Sequence, residues 1–433
     1  MKKTAAAVSV FLILLLVLSP FSAFAYDFDL NGYAPGAASS FVVNTDTGRV
    51  VFDNGGDVRR SIASLTKIMT AVVVLENCGE LRQTVTVKRA LIDEIEETGL
   101  VTAGLAAGET IPVEELLYCL LVSSTADAAL VLADFIGGSV DAFVAMMNEK
   151  AAYLGMTDTN YIDPHGLHNL ADGHYSTAKD QAVLCMYALK NATFATVVST
   201  AKHTVPATNL SGPRTLEATN YLLLDGNACR YDRAIGIKTG YTKDAGRCLA
   251  AAATNGSETY VSVVLGCEAY KPDGSIEVRH FKDSIWLLET AFRNYAFKTA
   301  LLGDEVLATV HDRCFGIDDD VPLVPGTGFS WLLRGDEEFR IQTTLLRDSL
   351  SEPVEKGTKL GECRISAGGI ELGTVDLVAG ATVERSVKRM AATVLIIALI
   401  AIAALIFPIL IFRLIFGKKR RRKKRRHTAG YRR

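Results

Sequence analysis

Residues 63–75 read ASLTKIMTAVVVL, and the rest of the sequence takes its meaning from this run. Ser64 and Lys67 stand three residues apart at its head, a spacing that puts both side chains on one face of a helix. A lysine held there without its charge takes the serine proton, which makes an acyl-transfer nucleophile with no histidine. The apolar remainder predicts a helix buried on most sides, with the Ser64 N–H and the helix dipole facing a developing oxyanion. By itself the pattern is weak, because the chain holds three S-x-x-K matches. Ser176–Lys179 opens a helix in which Thr177 and Asp180 have capping-box spacing. Ser199–Lys202 runs into a β-branched stretch containing Pro206, where the two side chains do not share a face. For Ser64–Lys67 the local pattern leaves two readings equally open, a helix cap with a solvated lysine or a nucleophile with its base.

Residues 234–242, AIGIKTGYT, decide between them. A strand ending in Lys238-Thr239-Gly240 beside Ser64 presents Lys238 to a substrate carboxylate, while Gly240 admits a substrate backbone at close range. Neither motif means much alone; an S-x-x-K opening a buried helix together with a K-T-G on an antiparallel strand means much more.

Outward from these two elements, residues 40–53 read as a hairpin around Asp46-Thr47-Gly48. Helical patterns follow at Val113–Leu121, Ala126–Gly137 and Val140–Leu154. Two further alternating runs follow the K-T-G strand, then a helix at Lys282–Tyr295. Strands, many helices, then strands and a helix predict an α/β domain whose antiparallel sheet is built from both ends around a helical insert. After about residue 298 short alternating segments separated by Gly, Pro and Asp turns predict a small all-β sandwich.

The net charge of -2 conceals an uneven distribution. Residues 417–433 hold eleven Lys or Arg and no acid, and Arg413, Lys2 and Lys3 extend the count to fourteen; setting these aside leaves 32 basic residues against 48 acidic ones. Lys2 and Lys3, the apolar run Val8–Leu18 and Ala23-Phe24-Ala25 read as an export signal over residues 1–25. Ala391–Phe412 is uncharged, and at helical rise it spans roughly 33 Å, enough for a hydrocarbon core of about 30 Å. Nine consecutive basic residues follow closely, which marks the cytoplasmic side. The expected order is therefore signal 1–25, catalytic domain 26–297, β-domain 298–385, membrane helix 391–416 and a basic cytoplasmic tail 417–433. That position makes the tail a topology signal and an anionic-lipid contact rather than a nucleic-acid site. The eight cysteines lack C-x-x-C spacing, and His165, His168 and His174 lack the spacing of a helical ligand pair, so no metal or cofactor is expected.

The segments 63–70 and 236–242, with Ala245-Gly246, resemble those of low-molecular-mass penicillin-binding proteins, the serine-type D-alanyl-D-alanine carboxypeptidases of peptidase S11 type. Leu132-Ala-Asp134 with Gly138-Ser139, Asp163-Pro-His-Gly-Leu167, Tyr175-Ser-Thr-Ala178 and the later stretch 354–378 extend the resemblance over residues 38–385. It implies a penicillin-binding/β-lactamase-like domain, followed by the β-domain and the membrane helix. It also implies removal of the terminal D-alanine from peptidoglycan stem peptides ending in D-Ala-D-Ala, covalent inhibition by β-lactams, and no metal. By that resemblance Ser64 is the nucleophile and Lys67 its base. Ser124 relays a proton to the leaving amine, and Lys238, Thr239 and Gly240 bind the substrate with Lys238 on its carboxylate. The N–H groups of Ser64 and Tyr241 form the oxyanion hole. One position departs from the family. Its middle motif is Ser-x-Asn before Asp-Ala; with Asp127-Ala128 fixing the register, Ala126 stands where Asn is expected. Two alternatives follow, a serine β-lactamase, which lacks a readable Glu-x-x-Leu-Asn element here, and a catalytically weak wall-binding scaffold.

Overall fold

The computed structural model describes residues 33–96, 98–312, 319–350, 352–383 and 387–427. The expected signal over residues 1–25 lies outside them. The chain divides into two units, one ending at Ala296 and the other beginning at Phe297.

In the first unit β1 (Ser39–Asn44) and β2 (Val50–Asn54) form the anticipated antiparallel hairpin. Asn44 closes its turn, with Oδ1 accepting from the N–H groups of Asp46 and Thr47. The expected helix from Ala63 begins differently. Ala63 has φ +47°, so residues 63–65 form a tight 3-10 turn, and α1 starts at Thr66 and runs to Asn77. The Thr66 hydroxyl holds that turn by donating to the Ala63 carbonyl at 2.8 Å. There follow β3 (Thr84–Thr86), α2 (Arg89–Glu96), β4 (Thr110–Pro112), α3 (Val113–Leu121), α4 (Ala126–Gly137), α5 (Val140–Tyr153), α6 (Ala178–Ala188) and α7 (Ala192–Val198). The unit continues with β5 (Lys202–Val205), β6 (Arg214–Glu217), β7 (Ala234–Thr242), β8 (Gly246–Thr254), β9 (Thr259–Cys267) and α8 (Arg279–Asn294).

The main sheet is antiparallel, in the order β2-β1-β9-β8-β7. Strands from the two ends of the unit meet at β1–β9, where Phe41 lies opposite Val263. Ala250 to Ala253 on β8 and Tyr260 to Leu265 on β9 are buried at every position, so both faces are covered, with α6 and α8 packed against these strands. The small side chains of β8 let helices approach closely. Helix α1 is buried from Thr66 through Val74 and packs against α3, α4, α5 and α6. Each fully buried Ile, Val or Met there contributes about 1.5–3 kcal/mol, which anchors the 63–65 turn to the core. Strand β7 is the last in the order, so its outer edge has no strand beside it and lies against the 63–65 turn.

The second unit holds β10 (Tyr295–Leu301), β11 (Ala308–Asp312), β12 (Asp319–Pro325), β13 (Phe329–Arg334), β14 (Arg340–Leu345), β15 (Ser349–Leu350), β16 (Lys359–Ala367) and β17 (Ile370–Ala379). They make a six-stranded sheet, β14-β16-β17-β12-β11-β15, and a two-stranded one, β10-β13. Alternation in β16 buries Leu360, Cys363 and Ile365 in a separate apolar core with Val310, Leu323 and Leu377. Helix α9 (Val387–His427) runs unbroken through Pro408. Its segment Met390–Arg413 is long and apolar enough to cross a membrane and none of it is buried against protein. Leaving that apolar surface in water would cost about 25 cal/mol per Å².

Candidate active site

The 63–65 turn holds Ser64 at the mouth of a cleft of about 480 Å³ in the first unit. Lys67, one turn on, is 2 % exposed, and its Nζ donates to Ser64 Oγ at 2.9 Å and to the His165 carbonyl at 2.8 Å. Burial pushes the Lys67 ammonium down to about 7, against the opposing charges of Asp163 and Asp127. At neutral pH a large share of this amine is therefore free base, in contact with a hydroxyl. Ser64 does not cap this turn: Ile62 holds the cap position and makes no side-chain capping bond.

Ser124, Ala126, Thr239, Gly240 and Tyr241 line the same cleft as Ser64 and Lys67. Ser124 has φ +62°; with Ala63 it is one of two non-glycine residues in the left-handed region among the described residues, one preceding Ser64 in the chain and the other lining the same cleft. The neighbouring Ser123 donates to the Glu217 carbonyl at 3.1 Å, which ties the turn to β6. Asp127 is buried and accepts from the N–H groups of Ala103 and Leu105, while the Ala126 N–H donates to the Val101 carbonyl. These bonds fix the wall carrying Leu100 and Val101. Ala126 is buried and offers the cleft a methyl group only.

Strand β7 meets the turn at Gly240. A Cβ there would lie 2.9 Å from the Ile62 carbonyl and 3.2 Å from the Ser64 nitrogen, so only glycine allows the edge to close on the nucleophile. Thr239 Oγ1 lies 2.6 Å from Thr219 Oγ1. Lys238, expected on the substrate carboxylate, lies one residue before Thr239 on β7. It is fully buried and absent from the cleft lining, and its Nζ donates to the Thr239 carbonyl at 3.0 Å. Burial first, and then the charge of Lys67, hold its ammonium well below the ordinary lysine value. Arg247 also lines the cleft, with its guanidinium 5.1 Å from the Tyr241 ring centre. Sequence reasoning missed it. The hairpin register pairs Tyr241 with Arg247, so the turn length after the K-T-G was the available signal.

Of the remaining S-x-x-K matches, Thr177 caps α6 through the Asp180 N–H, and Ser176 Oγ bonds Thr159 and Gln181. Ser199 ends α7 while Lys202 begins β5. The segment 163–168 packs against the turn. Its Gly166 has φ +86°, and a Cβ there would lie 2.0 Å from the Ala63 carbonyl.

Known proteins carry the same organisation. The model of the peptidase S11 family, D-alanyl-D-alanine carboxypeptidase, matches residues 33–269, more than half the chain, and that of the penicillin-binding protein 5 C-terminal domain matches residues 304–385. The D-alanyl-D-alanine carboxypeptidase of a Streptomyces species is 36% identical over 237 residues, covering 53% of this chain and 80% of its own. The carboxypeptidase DacF of Bacillus subtilis is 28% identical over 335 residues, 77% of this chain and 82% of its own. Among solved structures, the Streptomyces DD-transpeptidase matches with a TM-score of 0.55 at 33% identity, over 60% of this chain and 98% of its own. Penicillin-binding protein 5 from Haemophilus influenzae shares the fold, with a TM-score of 0.60 at 23% identity over 82% of this chain and 100% of its own. A buried lysine bonded to a serine at the edge of an antiparallel sheet, followed by the all-β domain, accords with this agreement: the chain belongs to the D-alanyl-D-alanine carboxypeptidase family of serine hydrolases.

Proposed function

We propose that this protein removes the terminal D-alanine from peptidoglycan stem peptides ending in D-Ala-D-Ala, through an acyl-enzyme at Ser64, and that β-lactams acylate the same oxygen. The contact between the Ser64 hydroxyl and the buried Lys67 amine carries the reading. In its free-base form Lys67 takes the Ser64 proton as Oγ attacks the carbonyl carbon of the penultimate D-alanine. The resulting oxyanion faces the N–H groups of Ser64 and Tyr241. When the C–N bond breaks, the nitrogen of the leaving D-alanine takes a proton passed from Lys67 by way of Ser124, and Ser64 remains as an ester. Water then attacks the ester carbon with the same amine as base, which restores the serine.

Thr239 and Arg247 face the cleft at the carboxylate end, and Gly240 lets the substrate backbone lie along the open edge of β7. Lys238, whose Nζ donates to the Thr239 carbonyl, supports that end from within β7. The family match does not favour the two alternatives, a β-lactamase or a non-catalytic scaffold. We also infer that residues 1–25 direct export and that residues 26–297 and 298–385 form the outward domains. In this topology 391–416 spans the membrane, and the basic tail 417–433 stays on the cytoplasmic side.

The test is labelling by a fluorescent penicillin together with release of D-alanine from a peptide ending in D-Ala-D-Ala. Ser64→Ala should abolish both, and undiminished labelling of that variant would show that Ser64 is not the nucleophile.

A further inference from the structure

Asp163 is buried in the segment facing the start of α1, and every polar contact around it has a direction. Its Oδ1 accepts from the His165 N–H at 2.8 Å and from the Gly166 N–H. Its Oδ2 faces the His168 N–H at 3.1 Å and His168 Nδ1 at 2.8 Å. In a trans peptide the N–H and C=O point in opposite directions. Gripping the N–H groups of His165 and Gly166 therefore drives the carbonyls of Pro164 and His165 the other way, toward α1. There the Pro164 carbonyl accepts from the Thr70 hydroxyl at 2.6 Å, and the His165 carbonyl accepts from Lys67 Nζ at 2.8 Å.

His174 closes the arrangement from the other side. Its Nδ1 accepts from the Ile162 N–H at 3.2 Å, which leaves Nε2 as the donor to Thr66 Oγ1 at 2.8 Å. Thr66 passes the bond on to the Ala63 carbonyl, one residue before Ser64. Three side chains in the first turns of α1 thus rest on the 162–174 segment, and two of those contacts are peptide carbonyls oriented by one carboxylate.

We propose that Asp163 is a positioning residue for the base: by turning the His165 carbonyl onto the Lys67 amine it aims the amine's remaining lone pair at the Ser64 hydroxyl. The proposal rests on the reading of Ser64 and Lys67 as nucleophile and base. It assigns a role to an aspartate that has no place in the acyl-transfer steps themselves. The charges that bear on Lys67 are Asp163 from this segment and Asp127 from α4, both holding its proton on, while Lys238 from β7 is itself lowered by burial and by Lys67. Removing Asp163 leaves Asp127 alone to oppose burial. The free base then persists to lower pH.

The experiment measures the second-order rate of acylation of the full chain by a fluorescent penicillin between pH 5 and 9. In the parent the rate should rise with pH around a midpoint of about 7. Asp163→Asn should lower the plateau roughly tenfold or more and move the midpoint to lower pH, a displacement that loosened packing alone would not produce. A folded Asp163→Asn protein with the parental plateau and midpoint would overturn the proposal. Thr70→Val removes the Pro164 contact and keeps the carboxylate; it should lower the plateau with the midpoint unmoved. If Asp163→Asn fails to fold, Thr70→Val decides, and a parental plateau there overturns the proposal. Failure of the parent to label at Ser64 would refute the reading of the site itself, and this inference with it.

Discussion

At the scale of single residues, Lys67 and Ala126 set the chemistry in opposite ways. A charged lysine among Ile68, Met69 and Val72 would be expensive to bury, and the amine responds by giving up its proton near neutrality. The sign is fixed: as pH rises through about 7 the free base accumulates, so acylation gains with pH. Ala126 removes a hydrogen-bonding group from the wall opposite. Restoring an amide there is worth about 1–3 kcal/mol in the transition state, roughly ten- to a hundredfold in rate. Ala126→Asn should therefore raise D-alanine release by at least the lower figure. An unchanged rate in a folded variant would mean that this position makes no contact with the substrate or the lysine.

At the scale of elements, the site exists where three of them touch: the 63–65 turn, the edge of β7 and the 163–168 segment. The S-x-x-K and K-T-G motifs were legible because their chemistry depends on residue type at fixed spacing, and the hairpin and most of the helices were legible from their periodicity. Asp163-Pro-His-Gly-Leu167 was visible as a motif without a role. Its work is done by backbone carbonyls, and a carbonyl leaves no residue-type signature in a sequence. The 3-10 start of α1 was hidden for a related reason, since an alanine carries no residue-type signal for the left-handed backbone found at Ala63. Contact between turn and strand rests on Gly240. Gly240→Ala should push β7 away from Ser64 and slow penicillin acylation about a hundredfold, with a smaller change in melting temperature. Labelling at the parental rate would show that the edge tolerates the methyl group.

At the scale of the whole molecule, the near-zero net charge is the sum of an acidic body and a basic end separated by an uncharged helix. The field of an acidic body does not draw in a carboxylate, so on the proposed function capture rests on local groups of the cleft, where Arg247 and Thr239 stand. A chain ending at residue 386 should leave the membrane fraction and retain D-alanine release. Its persistence in washed membranes would place the anchor elsewhere than α9. The sequence by itself determined the pairing of Ser64 with Lys67 on one face, the α/β body followed by an all-β domain, and the apolar helix, because side-chain spacing, alternation and a long uncharged run are local properties. Only the tertiary structure decided that Lys238 is fully buried while Arg247 lines the cleft, and that Asp163 points two carbonyls at α1. Those outcomes depend on which buried groups face one another across elements distant in the chain, and that is a property of packing rather than of spacing.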